Sequence, residues 1–429
     1  MRVANHSGMR ARLILSAIAV LVTTVVADVA PASAATPPAR DPFYKAPRGL
    51  ASARPGAVLR WRHVDVKIGG ASLGDTATAY QLLYRTNDAK NHPLANVTTV
   101  IVPSMAAPPG ARQLVSVQDA ENAADSRCAP SYQLQEGEMG EDDVNNGNLA
   151  AEMTGLGMRQ LAAGRVLVVP DPEGPRHMYT SRAMAAHAVL DSIRAAERFR
   201  PAGLVRGAAT PAALAGYSGG ALESGAANEA QPAYAPELNI VAVTAGGVPA
   251  LDMDTFRYLD GSVGAGVLMG AAMGLDTAYP ELRLDSLLND AGKALKQEAS
   301  TGCASSVFAR PFAHFNDWTK TPNAFNLPRV RKVIDTNAFG HAAPKAPTFY
   351  YNGITDELIW IKPLDRLVAS YCARGTPISY FRDPAGAEHI QALGNWAPLA
   401  HTYIDNRLAG QPAPTTCGQP LNASPTPTV

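Results

Sequence analysis

Residues 216–220 read Gly-Tyr-Ser-Gly-Gly and fit the pattern G-x-S-x-G. That pattern suits a nucleophilic serine at a sharp turn from strand to helix. Small residues at 216 and 220 relieve close contacts around a strained backbone, so the hydroxyl of Ser218 projects above a sheet. The N–H of Gly219, opening the helix, can then face a developing oxyanion. The pentapeptide alone would equally fit a Gly/Ser loop. The flanks decide, because an apolar lead at 212–215 precedes it and residues 221–229 (ALESGAANE) can continue as a helix.

A serine nucleophile needs a base and a group that orients the base. Where the motif marks a nucleophile elbow, the chain order is serine, then acid, then histidine. The run Tyr350-Tyr351-Asn352-Gly353 ends a strand-like stretch, and Asp356 follows it closely, with adjacent Glu357 as the fallback acid. Without a catalytic role, Asp356 would simply be a carboxylate near a helix start before Pro363. Residues 378–382 form the next strand-like run, and the loop after it ends at His389. The step from Asp356 to His389 holds one helix and one strand. His401 lies inside the last helical pattern and fits less well, whereas His314 and His341 precede the acid and break the order. A second oxyanion donor should come from a loop after an early strand. The segment 116–122 (SVQDAEN) supplies it, with the backbone N–H of Asp119 as the candidate. The carboxylate of Asp119 must then point away or carry a proton.

These residues need a scaffold of alternating strands and helices. Strand-like runs fall at 97–102 (VTTVIV), 113–118 (QLVSVQ), 165–170 (RVLVVP), 239–244 (NIVAVT), 347–352 (PTFYYN) and 377–382 (PISYFR). Helical stretches fall at 181–200, 363–373 and 397–408. Strands separated by helices of this length argue for an α/β fold with a mainly parallel sheet. The rhythm breaks between 251 and about 335, where helix-like patches at 258–275 and 283–299 occur without a convincing strand. That insertion reads as a helical cap. The expected order is a signal peptide at 1–34, an irregular arm at 35–60, the first part of the core at 61–250, the cap at 251–335, and the last part of the core with a Pro/Thr-rich tail at 336–429.

The N-terminus carries Arg2, Arg10 and Arg12, then the apolar run 13–27, then Pro31-Ala32-Ser33-Ala34. A basic start, a short apolar core and an A-x-A end describe a secretory signal peptide cleaved near Ala34. The run is shorter than the roughly 20 residues that span a bilayer, and no transmembrane span is expected after its removal. The whole chain of 429 residues balances 37 Lys+Arg against 37 Asp+Glu. Removing the signal leaves 34 against 36, a charge of −2. Such a chain has no global field to hold a polyanion, so nucleic acid is not an expected partner. A hydrophobic content of 46% and only four Cys exclude a largely disordered chain and a small disulfide scaffold. Cys128, Cys303, Cys372 and Cys417 form no C-x-x-C pair, so a zinc site built on cysteine is not expected. In an oxidising compartment they should pair. Three pairings are possible, and Cys128–Cys303 with Cys372–Cys417 is favoured over the others and over four buried thiols.

Taken together, VSVQDAEN at 115–122, VVPDPEGP at 168–175, AGYSGGA at 215–221, YAPELNIVAVTAGG at 234–247, YNGITDELI at 351–359 and the His389 loop resemble the secretory lipases. This α/β-hydrolase group includes fungal and actinobacterial secreted lipases of the yeast lipase A type. The resemblance runs from about residue 42 to 417. It implies a secreted lipase or esterase, an α/β-hydrolase core with a helical cap or lid, and the same cysteine pairs. It implies Ser218, Asp356 and His389 as the triad, Asp119 and Gly219 as oxyanion donors, and no metal or organic cofactor. The expected partner is an ester or lipid substrate, such as one presented at a lipid–water interface. Glu223 departs from the small or apolar residue expected in the helix after the nucleophile. The apolar stretch 261–275 could flank an acyl tunnel or merely pack the cap on the core. An acyltransferase with an alcohol or sugar acceptor, and an inactive binding module, are the alternative functions.

Overall fold

The computed structural model describes residues 35–107, 111–136, 153–304, 309–421 and 429. The expected signal peptide, and most of the tail past 421, lie outside the described residues.

Nine strands form one sheet in the order β1-β4-β5-β7-β6-β8-β9-β10-β11. The strands are β1 (Val58–Val64), β4 (Ala77–Asn87), β5 (Pro93–Pro103), β6 (Leu114–Gln118), β7 (Val166–Pro170), β8 (Ala212–Tyr217), β9 (Ile240–Gly246), β10 (Thr348–Gly353) and β11 (Ile378–Asp383). A separate small hairpin joins β2 (Lys67–Ile68) to β3 (Ala71–Ser72). From β7 through β6, β8, β9, β10 and β11 all neighbours run parallel. The β1, β4 and β5 pairings, and β5 with β7, are antiparallel. The expected α/β architecture with a mainly parallel sheet is therefore present.

Six strands fall where the apolar runs predict them. Both faces of β6, β7, β8 and β10 are buried throughout, which is why they read as near-continuous apolar runs. The antiparallel end of the sheet carries no such signal. β1 begins at Val58, inside the stretch expected to be an irregular arm, and shows only a half-buried pattern. β4 is buried along most of its length yet contains Gln81, Arg85, Thr86 and Asn87. Those polar groups find tertiary partners. Gln81 accepts from Arg62 and donates to the Ser131 carbonyl, and Thr86 donates to Asp191.

Eleven helices flank or extend the sheet among the described residues: α1 (Pro130–Glu136), α2 (Met158–Ala162), α3 (Arg182–Arg198), α4 (Gly219–Tyr234), α5 (Met253–Leu259), α6 (Val267–Ala278), α7 (Leu284–Leu287), α8 (Asp290–Ala299), α9 (Pro328–Asn337), α10 (Ile361–Ala373) and α11 (His389–Leu408). α5 to α9 all lie between β9 and β10. Their apolar faces share one cluster, with Leu268, Leu284, Leu287, Phe315, Trp318 and Val333 among its members, and it reaches Met184 on α3 and Leu222 on α4. The last helix is longer than its apolar pattern suggests. It starts at His389 rather than near 397, because Gly394 and Pro398 mask the helical period in its first turns. Two disulfides close the chain as favoured, Cys128–Cys303 with Cα atoms 5.5 Å apart and Cys372–Cys417 with Cα atoms 5.4 Å apart.

Candidate active site

β8 ends at Tyr217 and α4 begins at Gly219, so Ser218 is the single hinge residue between them. Its backbone has φ 56° and ψ −115°, a left-handed conformation that costs a non-glycine residue about 1–3 kcal/mol. The tight turn explains its glycines. A Cβ on Gly216 would stand 2.3 Å from the Gly220 carbonyl oxygen, and one on Gly220 would stand 2.1 Å from the Gln118 carbonyl oxygen. Any side chain there would push the turn off the sheet.

The turn aims Ser218 at His389. The Oγ lies 2.8 Å from His389 Nε2, and His389 Nδ1 lies 2.7 Å from Asp356 Oδ2. The imidazole is 2% exposed and the carboxylate side chain 0%, so little water competes for these bonds. The other carboxylate oxygen of Asp356 accepts the N–H groups of Leu358 and Ile359, at 3.0 and 2.7 Å. The acid is thereby held rigidly with one oxygen left for the histidine. A serine, an imidazole and a carboxylate in this series can carry a proton away from the serine and return it to a leaving group.

Three further contacts hold the series in place, and none could be found from spacing. Glu357, the fallback acid, does not reach the imidazole ring; its Oε2 accepts the backbone N–H of His389 at 2.9 Å. Tyr217 donates its hydroxyl to the His389 carbonyl at 2.8 Å, with the two rings 5.1 Å apart. Tyr258 on α5 donates to the Asp356 carbonyl at 3.0 Å and stacks on Trp360. The other histidines are elsewhere. His401 contacts Gln160 and the Gly155 carbonyl, His314 pairs with Asp260, and His341 meets the Asp335 carbonyl.

The loop after β6 lies against the serine turn. A Cβ on Gly219 would meet Asn122 Oδ1 at 2.6 Å and Ala120 Cα at 3.1 Å. Asp119 opens that loop and is 1% exposed. Glu223 is buried on α4 and does not line the cavity over Ser218. It faces Tyr179, whose phenol is pushed up first by burial and then by Glu173 and Glu223.

The cavity over Ser218 is apolar. Leu222, Leu251, Phe256, Leu259, Val267 and Ala271 line it beside Asn122 and Thr180. Four of these, from Phe256 to Ala271, come from α5 to α6, so part of the 261–275 stretch does border the site. Leu268, Met269, Met273 and Leu275 of the same stretch pack into the neighbouring apolar cluster.

A buried Ser–His–Asp series on a mainly parallel sheet, with the serine on a strand-to-helix turn, defines an α/β hydrolase. The secretory lipase family model matches residues 142–416. A probable inactive lipase of Mycobacterium tuberculosis is 36% identical over 87% of this chain and 83% of its own length. Lipase A of Arthroderma benhamiae is 32% identical over 87% of this chain and 80% of its own. Candida antarctica lipase A in its closed state superposes with a TM-score of 0.83 at 28% identity, covering 92% of this chain and 93% of that one. The chain belongs to the secretory lipase family.

Proposed function

We propose that the protein is a secreted serine hydrolase of carboxylic esters, acting through an acyl-enzyme on Ser218. The observation that carries this is the unbroken series from Ser218 Oγ to His389 Nε2 and from His389 Nδ1 to Asp356 Oδ2. Ser218 attacks the ester carbonyl while His389 takes its proton, and Asp356 holds the ring and stabilises the imidazolium. The N–H groups of Asp119 and Gly219 receive the oxyanion. The alcohol departs with the proton from His389, and water then releases the acid by the same steps. The apolar lining of the cavity suits an uncharged acyl chain, as in acylglycerols and related lipid esters. Segment 251–335 acts as a cap over the acyl site, which is consistent with its residues lining that cavity. Extracellular location is supported by the signal-like N-terminus and by two disulfides.

The relative named as a probable inactive lipase raises a second reading, an inactive binding module. One experiment separates the two. A fluorophosphonate probe should label the wild-type protein and not Ser218→Ala, and a panel of p-nitrophenyl esters from acetate to palmitate should be hydrolysed only by the wild type. Equal hydrolysis by both proteins would refute Ser218 as the nucleophile. No labelling and no hydrolysis by the wild type would favour the inactive module.

A further inference from the structure

Beside the serine turn lies a cluster that the proposed chemistry does not use. Glu121 comes from the loop after β6, and Glu173 and His177 come from the loop after β7. One ligand-type atom from each lies within 4.8 Å of the other two. Glu121 and Glu173 are 1% and 4% exposed. Two buried carboxylates are costly unless a counter-charge sits with them.

The hydrogen bonds do not supply one. Both carboxylate oxygens of Glu121, and Nδ1 of His177, are buried without a hydrogen-bond partner. Both carboxylate oxygens of Glu173 are likewise buried without a hydrogen-bond partner. His177 Nδ1 stands 3.5 Å from Glu121 Oε1. That is too long for a charge-assisted hydrogen bond, which closes to about 2.7–2.9 Å. It is close to the separation of two ligands on one tetrahedral zinc ion, about 3.4 Å for bonds of about 2.0–2.1 Å. The widest separation in the cluster must close by about 1.4 Å at most to match, within reach of a small side-chain rotation. His177 also lines a cleft of about 460 Å³ with Ala124, Asp125, Asp171 and Gly174, so the histidine edge of the cluster borders space open to solvent.

We propose that Glu121, Glu173 and His177 form a binding site for a divalent cation of the zinc type, with the cleft side left open for a water ligand. One imidazole and two carboxylates suit zinc or manganese better than calcium, which prefers six to eight oxygens. The ion would tie the loop that carries Asp119 to the loop that carries Tyr179 and Thr180, and so brace two walls of the ester cavity.

The test uses the full-length protein, stripped with EDTA and dialysed, in titration calorimetry and thermal melts with zinc chloride or manganese chloride. Zinc should bind one to one with micromolar or tighter affinity and raise Tm. His177→Ala and Glu121→Gln should each weaken binding at least about 100-fold, since loss of a mere outer-shell partner already costs about 10–100-fold, and should abolish the rise in Tm. Absence of binding in the wild type would overturn the site, as would binding unchanged in both variants. A metal-free protein that Glu121→Gln stabilises, with no zinc binding, would assign the cluster to a shared proton instead. Binding is read without substrate, so its failure leaves the proposed esterase activity untouched.

Discussion

Asp356→Asn isolates the orienting role proposed for the acid. In the native site one carboxylate oxygen accepts Leu358 and Ile359 N–H, and the other accepts His389 Nδ1–H at 2.7 Å. An asparagine must keep its carbonyl oxygen on the two backbone donors, so its NH2 faces Nδ1. The imidazole proton then moves to Nε2, which becomes a donor and cannot take the serine proton. Restoring the working tautomer requires turning the amide, which leaves the buried Ile359 N–H and the half-buried Leu358 N–H unpaired. The buried group alone costs about 1–3 kcal/mol. Loss of the negative charge that stabilises the imidazolium adds to it. The expected fall in kcat is about 10³- to 10⁴-fold, in line with the same change in the general Ser-His-Asp template, with KM nearly unchanged. Initial rates on p-nitrophenyl butyrate, with Tm measured in parallel, check this. A kcat within tenfold of wild type at unchanged Tm would refute the assignment. Glu357→Ala is the companion experiment. It removes the acceptor of the His389 N–H and should lower kcat by about tenfold, far less than Asp356→Asn; the reverse ranking would make Glu357 the acid.

Three further outcomes are expected. Ala271→Leu narrows the cavity that Ala271 lines and should cut kcat/KM for dodecanoate at least tenfold more than for acetate, which equal losses on the two esters would contradict. Burial pushes the Glu197 carboxyl from 4.5 up to about 8, so its folded form holds a proton that the unfolded form has released between those values. Stability from this group is complete below about pH 4.5 and is lost as pH rises toward 8; Glu197→Gln should therefore raise Tm increasingly from pH 5 to pH 9, and a pH-independent difference would count against it. Cys372→Ser with Cys417→Ser opens a link across 45 residues, for which loop entropy gives about 4 kcal/mol as an upper figure; chemical unfolding should show a lower midpoint, and an unchanged one would mean that the link adds no stability.

Much of the site was legible because its constraints are local. Only glycine fits at Gly216 and Gly220, where an added Cβ atom would meet backbone at 2.3 and 2.1 Å, so the serine turn writes itself into the sequence. The order Ser218, Asp356, His389 is the chain order of a nucleophile-elbow fold, and β8 and β10, which lead to the first two, are legible because they are buried on both faces. Where polarity enters a buried strand the signal vanishes, as in β4 with Gln81 and Thr86, whose partners Arg62, Ser131 and Asp191 lie in other elements.

The amino-acid sequence by itself thus determines the sheet's parallel half and the residue types that could do the chemistry, since each rests on periodicity, backbone sterics or chain order, and it carries the family through the likeness of its motif segments. Tertiary structure decided the rest, because hydrogen-bond partners are chosen by proximity in space. It separated Asp356 from its neighbour Glu357 by which of them reaches the imidazole and which the backbone N–H. It brought Tyr258 across 98 positions to the acid's carbonyl, and it closed Glu121, Glu173 and His177 into one cluster from two loops.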